Sequence, residues 1–143
     1  MSALILAAIL RLAPALPAAT AERYANDIAL AADGDWEMAA ALIATQHEES
    51  RWRVDVESCA VTGDGGAAVT AWQLHKHWWA GYSRDEVCRS NQLAASLAAS
   101  ALIVLEHRTG GMVGAMRAYI GCRPGDVRSV RRIRLFRKIR GAS

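Results

Sequence analysis

The sequence predicts a single-domain, mainly α protein with a small loop or β insertion after its second helix. Three observations carry this. The 143 residues are one domain's worth of chain. Hydrophobic residues make up 52% and are mostly Ala and Leu, which favour helix. Turn chemistry gathers in one stretch, residues 54–71, rich in Val, Thr, Gly and Asp.

Each element rests on local signals. Residues 1–20 form an N-terminal apolar segment: Ala3 to Leu10 is an unbroken apolar run, and Ala19-Thr20-Ala21 resembles a small-residue cleavage site. No Lys or Arg precedes the run and Arg11 breaks its apolar character, so an export signal and a native helix that packs on the domain both stand. The run is too short to span a bilayer. From residue 21 to 143 the chain reads as the domain itself. Thr20 is placed to cap a helix over 21–32, and Asp35 to cap the next over 36–49. Thr62-Gly63-Asp64-Gly65-Gly66 reads as a loop or irregular hairpin. Ser83 caps a short helix through Cys88, and a long Ala/Leu helix over 91–107 ends at Gly110-Gly111. Another helix covers 111–119. The last, over 126–139, carries Val127, Val130, Ile133, Phe136 and Ile139 as an apolar stripe.

Charge is unevenly spread. Residues 1–122 hold 9 Lys/Arg against 13 Asp/Glu; residues 123–143 hold 8 against 1. A mildly acidic body with a strongly basic tail suits an anionic partner, or a solvated helix face. No stacking or helix-turn-helix signal accompanies the tail, so nucleic acid is not expected. The globular composition excludes disorder as the main state. Three cysteines, Cys59, Cys88 and Cys122, show no CxxC spacing, which argues against a zinc ribbon or a thioredoxin site.

The chemistry concentrates around Gln46-His47-Glu48-Glu49-Ser50-Arg51-Trp52. Helical spacing continues Met38, Leu42 and Thr45 into Glu49, while Glu48 continues Glu37, Ala41 and Ala44 on a more polar side. Glu49 is therefore the carboxyl expected at the edge of the core, where desolvation favours the protonated form that a general acid for glycoside cleavage needs. The plain alternative is a carboxylate paired with an arginine such as Arg51 or Arg53. His47-Glu48 begins like a zinc-protease motif, but Arg51 stands where a second histidine is required. His75 and His77 lack a completing Cys or carboxylate, so no metal is expected. Trp52, Trp72, Trp78 and Trp79 fall within one 28-residue stretch, where a groove would be sought.

The run Ala41–Trp52, with Glu49-Ser50 followed by the aromatic Trp52, resembles the helix of soluble lytic transglycosylases and goose-type lysozymes. Gly65-Gly66-Ala67-Ala68-Val69-Thr70-Ala71-Trp72-Gln73-Leu74 resembles that family's second motif. Ala115-Met116-Arg117-Ala118-Tyr119-Ile120-Gly121 resembles its third. The resemblance covers residues 35–122 and implies a lysozyme-like fold that cuts the β-1,4 bond between N-acetylmuramic acid and N-acetylglucosamine, without metal or organic cofactor. It implies Glu49 as acid and then base, Ser50 near the glutamate or sugar, Gln73 lining the groove, Tyr119 bonded to the Glu49 carboxyl, and Trp72, Trp78 and Trp79 as sugar-stacking candidates. Asp64 is the nearby candidate for a second carboxylate. The pattern departs at Thr70, where the family carries Gly, at Ala71, and at Ile120, where it carries Asn.

Cys59 and Cys88 bracket the insertion, and joining them staples the loop that carries Gln73 and the tryptophans, leaving Cys122 free; three reduced thiols is the alternative. With one acid in the motifs, the expected product is a 1,6-anhydromuramyl end, whereas a hydrolytic lysozyme needs a second carboxylate. The expected partner is the peptidoglycan strand, met outside the cytoplasm by export or by phage delivery, by a monomer or a virion component. A non-catalytic glycan-binding or virion structural protein is the rival from another class.

Overall fold

A computed structural model describes residues 1–119, 121 and 126–142; Ile120 and Cys122 lie outside them. The fold is mainly α with a small two-stranded sheet. The helices are α1 (Ser2–Leu12), α2 (Ala18–Ala32), α3 (Trp36–Ser50), α4 (Val54–Glu57), α5 (Arg84–Arg89), α6 (Asn91–Thr109), α7 (Met112–Tyr119) and α8 (Val127–Arg140). The strands β1 (Ala68–Val69) and β2 (Leu74–His75) pair antiparallel, with Ala68 opposite His75 and Val69 opposite Leu74.

The caps largely explain the boundaries. Asp35 accepts from the backbone of Glu37 and Met38 to start α3. Ser83 and Glu86 form a reciprocal capping box at α5, and Ser90 caps α6. Gly110, at φ +78°, ends α6 in the left-handed conformation that glycine adopts without strain. Helix α2 begins three residues earlier than Thr20 predicts. Pro17 stands at its cap position, and its carbonyl accepts from Thr20 and Ala21, so Thr20 lies inside the first turn.

Two Ala-rich helices form the centre. Helix α3 is buried continuously from Met38 to Gln46, and α6 buries Ala94, Ala95, Ala98, Ala99, Ala101 and Leu102. A helix buried on every side lies inside the domain rather than on its surface. The N-terminal run is α1, which packs on α2 and α3 and fully buries Ile5 and Ile9. Each buried isoleucine contributes about 1.5–3 kcal/mol. Among the described residues no helix is long and apolar enough to cross a membrane.

Helix α8 packs along α3, but not by the predicted stripe. Ile133, Phe136 and Ile139 are buried as expected, while Val127 and Val130 face outward. Every third residue drifts by about 60° per step on a 3.6-residue helix, so five such positions cannot share a face. The inward face is instead Ser129, Arg132, Ile133, Phe136 and Ile139. Arg140 pairs with Glu37 and Arg131 approaches Glu48 at 3.7 Å, so α8 covers the side of α3 that the sequence marks as polar.

The insertion is tied down from both ends. Cys59 and Cys88 are disulfide-bonded. The Arg23 guanidinium of α2 grips Glu57 of α4 through two hydrogen bonds, and the Tyr24 hydroxyl donates to the same carboxylate at 2.6 Å. Trp52 tucks beneath, its ring 5.5 Å from that of Tyr24.

Candidate functional site

The end of α3, the glycine-rich loop, the β-hairpin, the end of α7 and the first half of α8 enclose a polar pocket of about 250 Å³. Glu48, Glu49, Gly63, Asp64, Ala68, Gln73, His75, Tyr119, Arg128 and Arg132 line it. Glu49, Gln73, Tyr119 and Asp64, drawn from four separate segments, therefore meet in one place.

Glu49 is not alone at the edge of the core. Its carboxylate is ion-paired with Arg132, 83 residues away, and the Arg132 side chain is only 3% exposed. The pairing with an arginine that the helix position allowed is real, but the partner comes from α8 rather than from Arg51 or Arg53. Arg53 instead binds Asp55, and Arg51 approaches Glu48 at 3.3 Å. The other two nitrogens of Arg132, Nε and Nη1, are buried without a hydrogen-bond partner. An ion pair holds Glu49 as an acceptor, and the unsatisfied guanidinium N–H groups are donors for an incoming oxygen.

Tyr119 lies in the pocket wall, but its hydroxyl donates to the Trp72 carbonyl at 2.9 Å rather than to Glu49. Burial, aided by the negative charge of Glu49, pushes its ionisation far up and keeps the phenol neutral. The bond fixes the hairpin to the end of α7. Gln73 reaches the pocket from a residue at φ +49°, and its amide donates to the Thr70 carbonyl at 2.9 Å. A Cβ built on Gly63 would lie 2.2 Å from Gln73 Oε1, so glycine at 63 is what gives that side chain its room. Thr70 stands at φ +69°, a conformation rarely tolerated by a β-branched residue.

Four expected sugar contacts are corrected. Ser50 is buried, donates to the Gln46 carbonyl at 2.9 Å and accepts from the Trp52 amide at 3.3 Å, so it closes the helix rather than facing the pocket. Trp72 is fully buried, with its indole donating to the Leu42 carbonyl at 3.1 Å; it is core. Trp78 is half-buried against the His77 ring, 4.6 Å away, outside the pocket. Trp79 donates to the Leu74 carbonyl at 3.2 Å and supports the hairpin.

Asp64 lies on the rim and approaches His75 at 3.3 Å. Glu48, the side chain expected to be peripheral, is only 11% exposed and lines the same pocket. Sequence reasoning passed over Arg132, Arg128 and Gly63, and took His75 as a groove or surface histidine. For Arg132 a signal existed: it lies one helical repeat from Ser129 and Phe136 on the buried face of α8. Burial, reinforced by the Arg51 guanidinium, disfavours protonation of His47, whose Nδ1 accepts from the Trp52 indole at 3.0 Å. Among the described residues no group of three or more His, Cys, Asp or Glu is arranged to hold a metal. Comparison with protein-family models, with curated proteins and with solved structures found no match to this chain.

Proposed function

We propose that the chain is a peptidoglycan-cleaving lytic transglycosylase of lysozyme-like fold. One observation supports this above the others. The three segments that resemble transglycosylase motifs, far apart in sequence, each contribute a side chain (Glu49, Gln73, Tyr119) to one polar pocket. Its place is outside the cytoplasm, and the Cys59–Cys88 bond, which persists in oxidising compartments, supports that.

In this reading a saccharide in the pocket draws Arg132 away from Glu49, offering its oxygens to the unpartnered Nε and Nη1. Glu49, freed of that pairing, takes a proton from solvent and gives it to the glycosidic oxygen as the bond to the muramyl anomeric carbon breaks. The substrate's N-acetyl oxygen supports the positive charge. The muramyl 6-hydroxyl then attacks the anomeric carbon and returns its proton to Glu49. No water is consumed, and the product ends in 1,6-anhydromuramic acid.

Hydrolysis, as in a goose-type lysozyme, is the second reading, favoured by the presence of Glu48 and Asp64 in the same pocket. Mass spectrometry of muropeptides released from purified sacculi separates the two. Anhydromuramyl ends support the transglycosylase, and reducing muramic acid ends establish the hydrolase. Sacculus binding with no release would overturn both in favour of a glycan-binding protein.

A further inference from the structure

A second groove, of about 310 Å³, lies on α7 and α8 and is lined by Arg117, Ser129, Val130, Ile133, Arg134 and Arg137. Among the described residues no carboxylate lines it. Elsewhere α8 spends its arginines on acids: Arg128 lies 3.6 Å from Asp126 and Arg131 3.7 Å from Glu48, while Arg132 pairs with Glu49 and Arg140 with Glu37. Arg117, Arg134 and Arg137 are exposed and have no ion-pair partner among the described residues. Like charges gathered without compensation disfavour the bare groove and favour an anion in it. A second observation points the same way. Ser129 is 1% exposed, lines this groove, and its Oγ has no hydrogen-bond partner among the described residues. A buried hydroxyl without a partner is costly and is satisfied by a ligand oxygen.

We infer that this groove binds the phosphodiester backbone of a polyol-phosphate polymer. Guanidinium forks match the paired oxygens of a phosphate. Val130 and Ile133 between them supply an apolar surface for the aliphatic carbons that separate successive phosphates in such a chain. No aromatic residue lines the groove to stack a nucleobase, which disfavours nucleic acid as the occupant. The site is separate from the Glu49 pocket and stands whether or not Glu49 cleaves glycan.

The test is equilibrium binding of a defined poly(glycerol phosphate) oligomer to the full chain, with inorganic phosphate and an oligo(dT) of equal charge as parallel probes. The oligomer should bind more tightly than inorganic phosphate, and log K should fall with log salt at a slope of about −2 for three phosphate contacts. Arg134→Gln/Arg137→Gln should weaken binding at least about tenfold at low salt, the loss of roughly one strong charged contact. Arg117→Gln on α7 should weaken it independently, so a folding defect confined to α8 would not hide the result. Lys138→Gln removes one charge from the same helix outside this groove and should change binding by less than about twofold. Equal losses in Lys138→Gln and in the arginine variants would overturn the site in favour of a diffuse charge effect. Oligo(dT) binding as tightly as poly(glycerol phosphate), or no binding by the oligomer, would overturn the inference outright.

Discussion

Replacing Glu49 with Gln should cost both stability and activity, and the two losses together test the site. Arg132 is almost fully enclosed, at 3% exposure, while Glu49 is 21% exposed. Removing one partner of a buried pair costs about 3–5 kcal/mol, because the other charge is left uncompensated. Water reaching Glu49 and the acceptor oxygen kept by Gln lower this to about 2 kcal/mol. With a urea dependence of about 1–3 kcal/mol per molar, the unfolding midpoint should drop by roughly 1 M. Glu48→Gln breaks only contacts to Arg51 and Arg131, both about half exposed, and should cost less than about 1 kcal/mol. Urea unfolding followed by tryptophan fluorescence reads the stabilities, and turbidity loss of purified sacculi under folding conditions reads activity. Lysis should fall at least about a hundredfold in Glu49→Gln, the scale of a lost general acid, and should largely survive in Glu48→Gln. In the double variant Glu49→Gln/Arg132→Met, the stability losses should sum to less than the two single losses, by about 1–2 kcal/mol. A Glu49→Gln protein as stable as the parent would refute the pairing argument. Reversed activities for the two glutamates would refute the assignment of the acid.

Three further outcomes are expected. Reducing Cys59–Cys88 opens a loop with a sequence separation of 29 residues, which should cost about 3–4 kcal/mol in the chain-entropy model and lower Tm by roughly 10 °C; calorimetry with and without reductant checks this, and an unchanged Tm would count against it. Protonation of His47 is disfavoured in the folded chain, so the unfolded chain takes up this proton first and stability should fall as pH drops below about 6.5. Arg51, Glu48 and Arg131 are the charges that face this ring, and His47→Gln should flatten the slope between pH 6.5 and 5 when stability is followed by denaturant titration. Gly63→Ala drives a Cβ into the place of Gln73 Oε1, the far end of a flexible side chain, so stability should change by less than about 1 kcal/mol while sacculus lysis falls about tenfold. Adding Gln73→Ala to that variant should cause no further loss, and additive losses would show that Gly63 acts in some other way.

The parts of the fold that were legible in the sequence are those set by short-range chemistry. Asp35, Ser83 and Gly110 mark helix ends because each bonds or turns within a few residues of itself. Of the candidate site, the sequence singled out Glu49, Gln73 and Tyr119, which line one pocket. It failed where a distant partner decides what a side chain does. An aromatic cluster reads the same whether it stacks a sugar or fills a core, and the carbonyl of Leu42, 30 residues away, holds Trp72 in the core. The Trp72 carbonyl takes the Tyr119 hydroxyl that the motif assigns to Glu49. The basic tail shows the same limit most fully. Its excess of cations against an acidic body reads from sequence as suited to an external anion or as a solvated helix face. Folding answers part of it internally, because Glu37, Glu48 and Glu49 lie on the very helix that α8 covers. The cations that this pairing leaves over are not the whole tail but the face carrying Arg134 and Arg137, which lines a groove with Arg117, apart from α3's carboxylates. Charge counting predicts that an anion is wanted; only packing separates the charges the protein uses on itself from those it presents.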